Sequence, residues 1–433
     1  MTVPVLVGIT TMMGQSFIDT WFLGKVGDDE LAAFSFGFPI LMIVTSIAIG
    51  LGAGTSSVVA RALGADNTKR ARRLTTDALI LSFLITVVIA AIGVVTINPL
   101  FKALGAPPDM IPMIRSFMLI LYSGIPFIVV AMVGMASMRA TGDTVLPSKV
   151  MIGGAILNVI LDPILIFGVG PIPAMGLDGA AMAALLARGT IFVGAIFLLA
   201  KRYHMISLSL PEFNELKSSW RDVLHVGLPA AGTNAIIPVA TTLVTGMVAR
   251  FGPEAVAGFG VASRVESLVL VIFYALSSVI GPFAGQNLSA GKEQRIQHAL
   301  RITSRFCLLA GLSIAVLLAL ASGYVGHMFS DNPDVTRVTR LFLLIAPISY
   351  GAYGIVMVMN AAFNGLGNPM PAVYISVTRM MVLYVPIALL LQQWFGVAGI
   401  FAAYAFANIV SGLVSYFWAR KAAHQLSEAT ATT

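Results

Sequence analysis

Chemistry in this sequence begins with acidic side chains set in otherwise apolar runs. Asp162 stands in "ILNVILDPILIFG" and Asp19 in "GQSFIDTWFLG". An ionisable group inside a hydrocarbon layer costs roughly 2.5–3.5 kcal/mol on insertion scales, so each one requires a reason. Asn158 precedes Asp162 by four residues, and residues at that spacing share a helix face. Pro163 follows directly, and its missing N–H leaves the Val159 carbonyl without its usual helical donor. A carboxylate, an amide and a free carbonyl within about one turn form an oxygen-rich acidic cluster. Such a cluster suits a proton or a small hard cation such as Na+. Asp19 has a plainer reading as well, a residue capping the outer end of its helix.

Other polar groups in apolar runs are candidates for a cavity or a gate. Glu266 lies in "ASRVESLVL" with Arg264 two residues away, a spacing that does not share a helix face. Its expected partners are Arg379 and Arg188, which would otherwise act as gating residues. Asn360, Tyr350, Tyr353 and Asn234 either line a cavity or hold helices together as polar glue. Asp77 and Asp178 fall at the ends of apolar runs and read as interfacial. The 21 Met and 25 Phe could furnish a soft pocket, but bulk of this kind ordinarily fills cores and faces lipid.

Catalytic signatures are absent. No G-x-x-x-x-G-K-[ST] loop is present to hold a nucleotide. His204, His225, His298, His327 and His424 are scattered without metal-ligand spacing. Cys307 is the single cysteine, which excludes an intramolecular disulfide. The chain therefore reads as no enzyme and as needing no cofactor, its energy coming from an ion gradient.

The elements that must position these residues are membrane helices. Of 433 residues, 58% are hydrophobic and only 10% charged, and the mean hydropathy is +0.92. A soluble domain carries about 25% charged residues, because its whole surface must be solvated. Crossing the hydrocarbon core takes roughly 20 apolar residues. Twelve stretches qualify, near 3–23, 34–60, 77–97, 115–138, 148–168, 179–200, 223–249, 257–285, 302–323, 338–363, 371–392 and 397–418. The connections from even to odd spans, such as "RALGADNTKRARR", hold most of the 26 Lys and Arg. The positive-inside rule then places both termini in the cytoplasm. The basic balance reflects topology and anionic lipid, with no call for nucleic acid.

The chain is also duplicated. Pro229 falls on Pro4, Gly252 on Gly27, Arg295 on Arg70, Pro333 on Pro108 and Gly367 on Gly142, at a constant offset of 225. Six spans in 1–200 form one lobe, 201–222 a charged cytoplasmic linker, and 223–433 a second six-span lobe with a short tail. An even number of spans per half makes the repeats parallel, a transporter design. The acids do not share the repeat. Asp19 maps to Val244 and Asp162 falls near Val385, so the cluster belongs to the first half alone.

"FIDTWFLGKVG" in span one, "MRATGDT" after span four, "LNVILDPILIFGVG" in span five, "GLDGAAMAA" opening span six and "GQNLSAG" after span eight resemble the multidrug and toxic compound extrusion (MATE) family. The resemblance covers essentially the whole chain and is nearest to the DinF-like branch, whose acids sit in the first lobe. It implies an all-α, V-shaped pair of six-helix lobes working as a monomer. It further implies export of organic cations or other amphiphiles across the bacterial inner membrane in exchange for inward H+ or Na+. Asp19, Asn158 and Asp162 take the family's ion-coupling and substrate-binding positions, and would be the metal ligands if Na+ is the ion. Pro4 and Pro163 take the helix-bending positions, although Pro4 has little helix ahead of it. Ala184 stands where the family commonly has a Thr ligand, which favours H+. The alternative reading is a lipid-linked precursor flippase of the related polysaccharide-exporter superfamily, with Arg188, Arg264 and Arg379 lining a basic cavity.

Overall fold

The computed structural model describes residues 2–209 and 212–431, with helices as the regular elements throughout. In chain order they are α1 (Thr2–Val26), α2 (Asp28–Gly64), α3 (Thr68–Ala103), α4 (Ile111–Ala140), α5 (Val145–Phe167), α6 (Gly176–Lys201) and α7 (Phe213–Val248). There follow α8 (Pro253–Ser289), α9 (Glu293–Phe329), α10 (Pro333–Ile345), α11 (Tyr350–Gly365), α12 (Met370–Val377), α13 (Val385–Phe395) and α14 (Val397–Ala431). A 3₁₀ turn, Ala346–Ser349, joins α10 to α11, and a π-helical segment, Thr378–Tyr384, joins α12 to α13. Each pair therefore makes one interrupted span, and the fourteen helices make the twelve expected spans.

Among the described residues, eleven of these spans are long and apolar enough to cross a bilayer. The exception is α1, whose Thr10, Thr11, Gln15, Ser16, Asp19 and Thr20 dilute its apolar content. Helices α2, α3, α8 and α9 hold 36 or 37 residues each. At about 1.5 Å per residue that is roughly 55 Å, well beyond the ~30 Å hydrocarbon core. Their ends stand outside it, which is why α3 begins with "TKRARR".

Two compact units divide the chain, residues 1–231 and 232–433, the division falling inside α7. In the first, α4 is central and packs on α2, α3 and α6, while α1 packs on α5 and α5 on α6. In the second, α11 holds the equivalent place, packed on α8, α9 and α14. Small residues allow these close approaches, as membrane helices gain nothing by burying apolar surface against one another rather than against lipid. A Cβ on Gly351 would lie 3.0 Å from the Cys307 carbonyl oxygen of α9.

The duplication reaches into backbone conformation. Gly142 and Gly367, matched by the offset of 225, both take left-handed φ, 92° and 77°, in the turns that end α4 and α11. Each closes its turn with the same hydrogen bond, to the carbonyls of Arg139 and Asn364. Asp66 (φ 55°) and Gly291 (φ 66°) are matched too. Asp is one of the few side chains that tolerate this region, which explains how an acid can stand for glycine there.

Of the expected linker 201–222, residues 203–209 lie along the start of α3, and α7 already begins at Phe213. Residues 210 and 211 lie outside the described residues.

Candidate functional site

Helix α5 buries a single stripe, Ser148, Met151, Ala155, Asn158, Asp162 and Ile166, at helical spacing. Asn158 and Asp162 belong to that stripe and are 1% and 0% exposed. α1 lies against the same helix, close enough that a Cβ on Gly8 would be 3.6 Å from the Ser148 Cβ. This packing brings Asp19 onto Asn158, 139 residues away in sequence. One amide serves two carboxylates: Asn158 Nδ2 donates to Asp162 Oδ2 at 2.9 Å and to Asp19 Oδ1 at 3.4 Å. Gln15 Nε2 donates to Asp19 Oδ2 at 3.3 Å. Asp162 Oδ1 is buried without a partner, and Asp19 keeps partial exposure.

Arg188 of α6 stands within electrostatic reach of Asp19. Its Nη1 would be 3.9 Å from a Cβ on Gly124 of α4. Two carboxylates and two amides thus gather in the first unit, with one guanidinium in electrostatic reach. An uncapped oxygen and two like charges sharing one donor form an acidic cluster whose repulsion a proton or small cation would relieve.

Glu266 of α8 has its own surroundings in the second unit. Its Oε1 accepts from the Tyr404 hydroxyl of α14 at 2.8 Å. Arg379, in the π-helical segment, makes no ion pair with it. The guanidinium donates to Asn408 Oδ1 at 2.8 Å and lies 4.5 Å from the Tyr353 ring centre. Asn408 Nδ2 in turn donates to Ser349 Oγ at 3.1 Å. Tyr350 is fully buried, its hydroxyl unpartnered.

The remaining candidates are dispersed. Asn360 Nδ2 donates to Ser376 Oγ at 3.1 Å, a tie between α11 and α12. Asn234 is half-buried on α7, Ala184 half-buried on α6, and Arg264 exposed on α8. Pro4 occupies the first turn of α1, which runs unbroken to Val26, and α5 passes through Pro163 without interruption. Among the described residues no three His, Cys, Asp or Glu gather as a metal site.

Asp77 departs from its expected interfacial role. It is fully buried and paired with Arg73 at 2.5 Å, because the 203–209 segment and Trp220 cover this end of α3. Arg73 Nη1 donates to the Ser209 carbonyl at 2.7 Å, and Trp220 Nε1 donates to the Asp77 carbonyl at 3.0 Å. Nearby, outside the spans, Asp143 accepts from the Tyr203 hydroxyl at 2.7 Å and from the Val145 N–H at 2.7 Å. Burial pushes the Asp143 carboxyl up, but these donors, the Leu146 N–H and Arg202 outweigh it and hold the group below the usual carboxylate range. Burial, with the Asp143 carboxylate, pushes the Tyr203 phenol up.

Sequence reasoning missed Gln15, Tyr384, Tyr404 and Asn408. The signal for two pairs was the i,i+4 spacing of Gln15 with Asp19 and of Tyr404 with Asn408. Nothing in the sequence tied either pair to a distant partner.

The profile of the family described as MatE matches residues 4–164 and 229–390. The two matches begin at Pro4 and Pro229, the offset of the internal repeat. The chain is 36% identical to a FAD transporter of Shewanella oneidensis, over 100% of this chain and 96% of that one. It is 25% identical to the probable multidrug resistance protein YoeA of Bacillus subtilis, over 95% and 89% of the two chains. Its fold superposes on the crystal structure of the Vibrio cholerae MATE transporter VcmN in the bent form. The TM-score there is 0.93 at 30% identity, covering 98% of this chain and 96% of the other.

Proposed function

From the premise that this chain belongs to the MatE family of multi-pass membrane transporters, and so is a transporter and no enzyme, we propose that it is an ion-coupled antiporter. It exports an amphiphilic metabolite or drug against inward H+. The observation that carries this reading is the bridged pair Asp19–Asn158–Asp162, with the partnerless Asp162 Oδ1 beside it. A buried oxygen with an unused lone pair is where an incoming proton forms an O–H bond at least cost. Na+ would want several more oxygen ligands, and Ala184 supplies none.

Loading the pair removes charge from the α1–α5 seam. The loaded and empty forms then differ in which orientation they stabilise, and that difference is the condition for an ion to shift a conformational population. Arg188 contributes a fixed positive charge that keeps the cluster's net charge low in both forms. The placing of the Asp19–Asn158–Asp162 cluster in the first unit supports placement in the DinF-like branch. Lys and Arg on the even-to-odd connections support cytoplasmic termini in a bacterial inner membrane. The chain is proposed to act as a monomer.

The relative from Shewanella oneidensis supports FAD as the first compound to test, alongside fluorescent organic cations. A flippase is not favoured: Arg379 is engaged by Asn408 and the Tyr353 ring, and Arg264 is exposed. The test is transport in proteoliposomes under separately imposed pH and Na+ gradients. Uphill movement driven by the pH gradient alone is expected. Response to Na+ alone would reassign the ion, and response to neither would end the antiport reading.

A further inference from the structure

Four of the chain's ten tyrosines surround one carboxylate that the ion cluster of the first unit does not use. Around Glu266 of α8 stand Tyr274 of the same helix, Tyr350 of α11, Tyr384 of the π-helical segment and Tyr404 of α14, with the Tyr353 ring of α11 against that of Tyr404. The one formal charge facing it is Arg379, which is held off by Asn408 and the Tyr353 ring. Arg264, on the same helix, is exposed. Glu266 is thus a half-buried carboxylate in a span with no ion-pair partner among the described residues. Its Oε1 accepts from the neutral Tyr404 hydroxyl, and Tyr350 stands within reach of the same carboxylate.

A tyrosine shell is unlike a shell of arginines or backbone amides. Each phenol both donates and accepts, so it satisfies a carboxylate and a carboxylic acid alike. When Glu266 is ionised, Tyr404 donates to it. When Glu266 is neutral, its own O–H can donate to a phenol oxygen. Tyr350 offers such an oxygen: it is fully buried beside Glu266, and its hydroxyl is tied to no other group. A donor on Glu266 would satisfy that buried hydroxyl oxygen.

Two irregular segments of the second unit converge here. Ala346–Ser349 ends beside Tyr350 and carries Ser349, the acceptor for Asn408. The π-helical segment carries both Arg379 and Tyr384 into the cluster. Such segments inside α-helices recur at functional sites, because they place side chains that regular winding would turn away.

We propose that Glu266 is a second proton-binding centre, housed in the second unit and separate from the Asp19–Asn158–Asp162 cluster. A proton from water forms an O–H bond at Oε2, the neutral acid donates to Tyr350, and release of the proton restores the carboxylate with Tyr404 as its donor. The role of this centre in coupling rests on the antiport reading above; its ability to take a proton does not.

The experiment is a pH titration of the reconstituted full chain by difference infrared spectroscopy, following the C=O stretch of protonated carboxyl groups from about pH 9 to about pH 4. A carboxyl band is expected that Glu266→Gln removes and that Asp19→Asn and Asp162→Asn leave in place. Tyr404→Phe, which keeps the ring, is expected to retain the band and move it to higher wavenumber, because the hydrogen bond to the carbonyl is gone. A Glu266→Gln spectrum identical to the wild type overturns the proposal. If that variant does not fold, an unmoved band in Tyr404→Phe overturns it instead. Absence of uphill transport by the wild type with the Glu266 band intact would remove the antiport reading while upholding this site.

Discussion

Asp162→Asn should uncouple transport while sparing the fold. The side chain is fully buried on the α5 stripe, and the amide occupies nearly the same volume as the carboxylate. An oxygen remains to accept from Asn158 Nδ2, so the 2.9 Å bond that orders the stripe has a successor. What disappears is the negative charge and the partnerless Oδ1. One net charge crossing 100 mV gains about 2.3 kcal/mol. With a factor of ten for each 1.4 kcal/mol, that supports a substrate ratio of roughly 50 across the membrane. Proteoliposomes loaded with FAD or a fluorescent cation, under an imposed pH gradient and potential, measure this ratio directly. The variant should bring it to about one, while exchange down the substrate's own gradient continues and the purified protein stays monodisperse. A variant that holds the wild-type ratio would refute the assignment of Asp162 to the coupling step.

Three further outcomes follow from the packing and the polar ties. Asp77→Ala leaves Arg73 buried with only the Ser209 carbonyl, and breaking a buried pair costs about 3–5 kcal/mol. Thermal unfolding in detergent should show a clear fall in Tm, and an unchanged Tm would mean the pair is solvated. The lowered Asp143 carboxyl adds stability that is fully present above the ordinary carboxylate value, about 3.9, and is lost as pH falls through its lower folded value. Asp143→Asn should therefore flatten the acid side of the stability–pH curve, and Tyr203→Phe should flatten part of it; equal slopes in all three proteins would count against this tie. Gly365→Ala drives a Cβ into the backbone of Gly281 on α8, so it should lower stability by about 1–3 kcal/mol. Insertion and stability equal to wild type would show that α8 and α11 can separate freely at that point.

Much of the molecule was legible in the chain itself. Scarce charge and long apolar runs require a membrane, because neither a core nor a surface could otherwise be built. The offset pairing Pro4 with Pro229 and Gly142 with Gly367 carried the duplication down to matching left-handed turns. The i,i+4 relation of Asn158 and Asp162 required a shared face whatever the fold, since helical pitch alone decides it.

The tertiary structure decided which distant groups answer those local patterns. By its sequence Asp19 had a second, plainer reading as the cap of a helix end; the α1–α5 contact sets it on Asn158. Arg188 was a candidate partner for Glu266 and lies by Asp19, whereas Arg379 is drawn away by Asn408. Asp77 reads as interfacial until the 203–209 segment and Trp220 cover it. Local pitch follows from backbone geometry and can be read from spacing. Pairing between spans depends on which faces the folded helices turn toward one another, and no spacing along the chain encodes that.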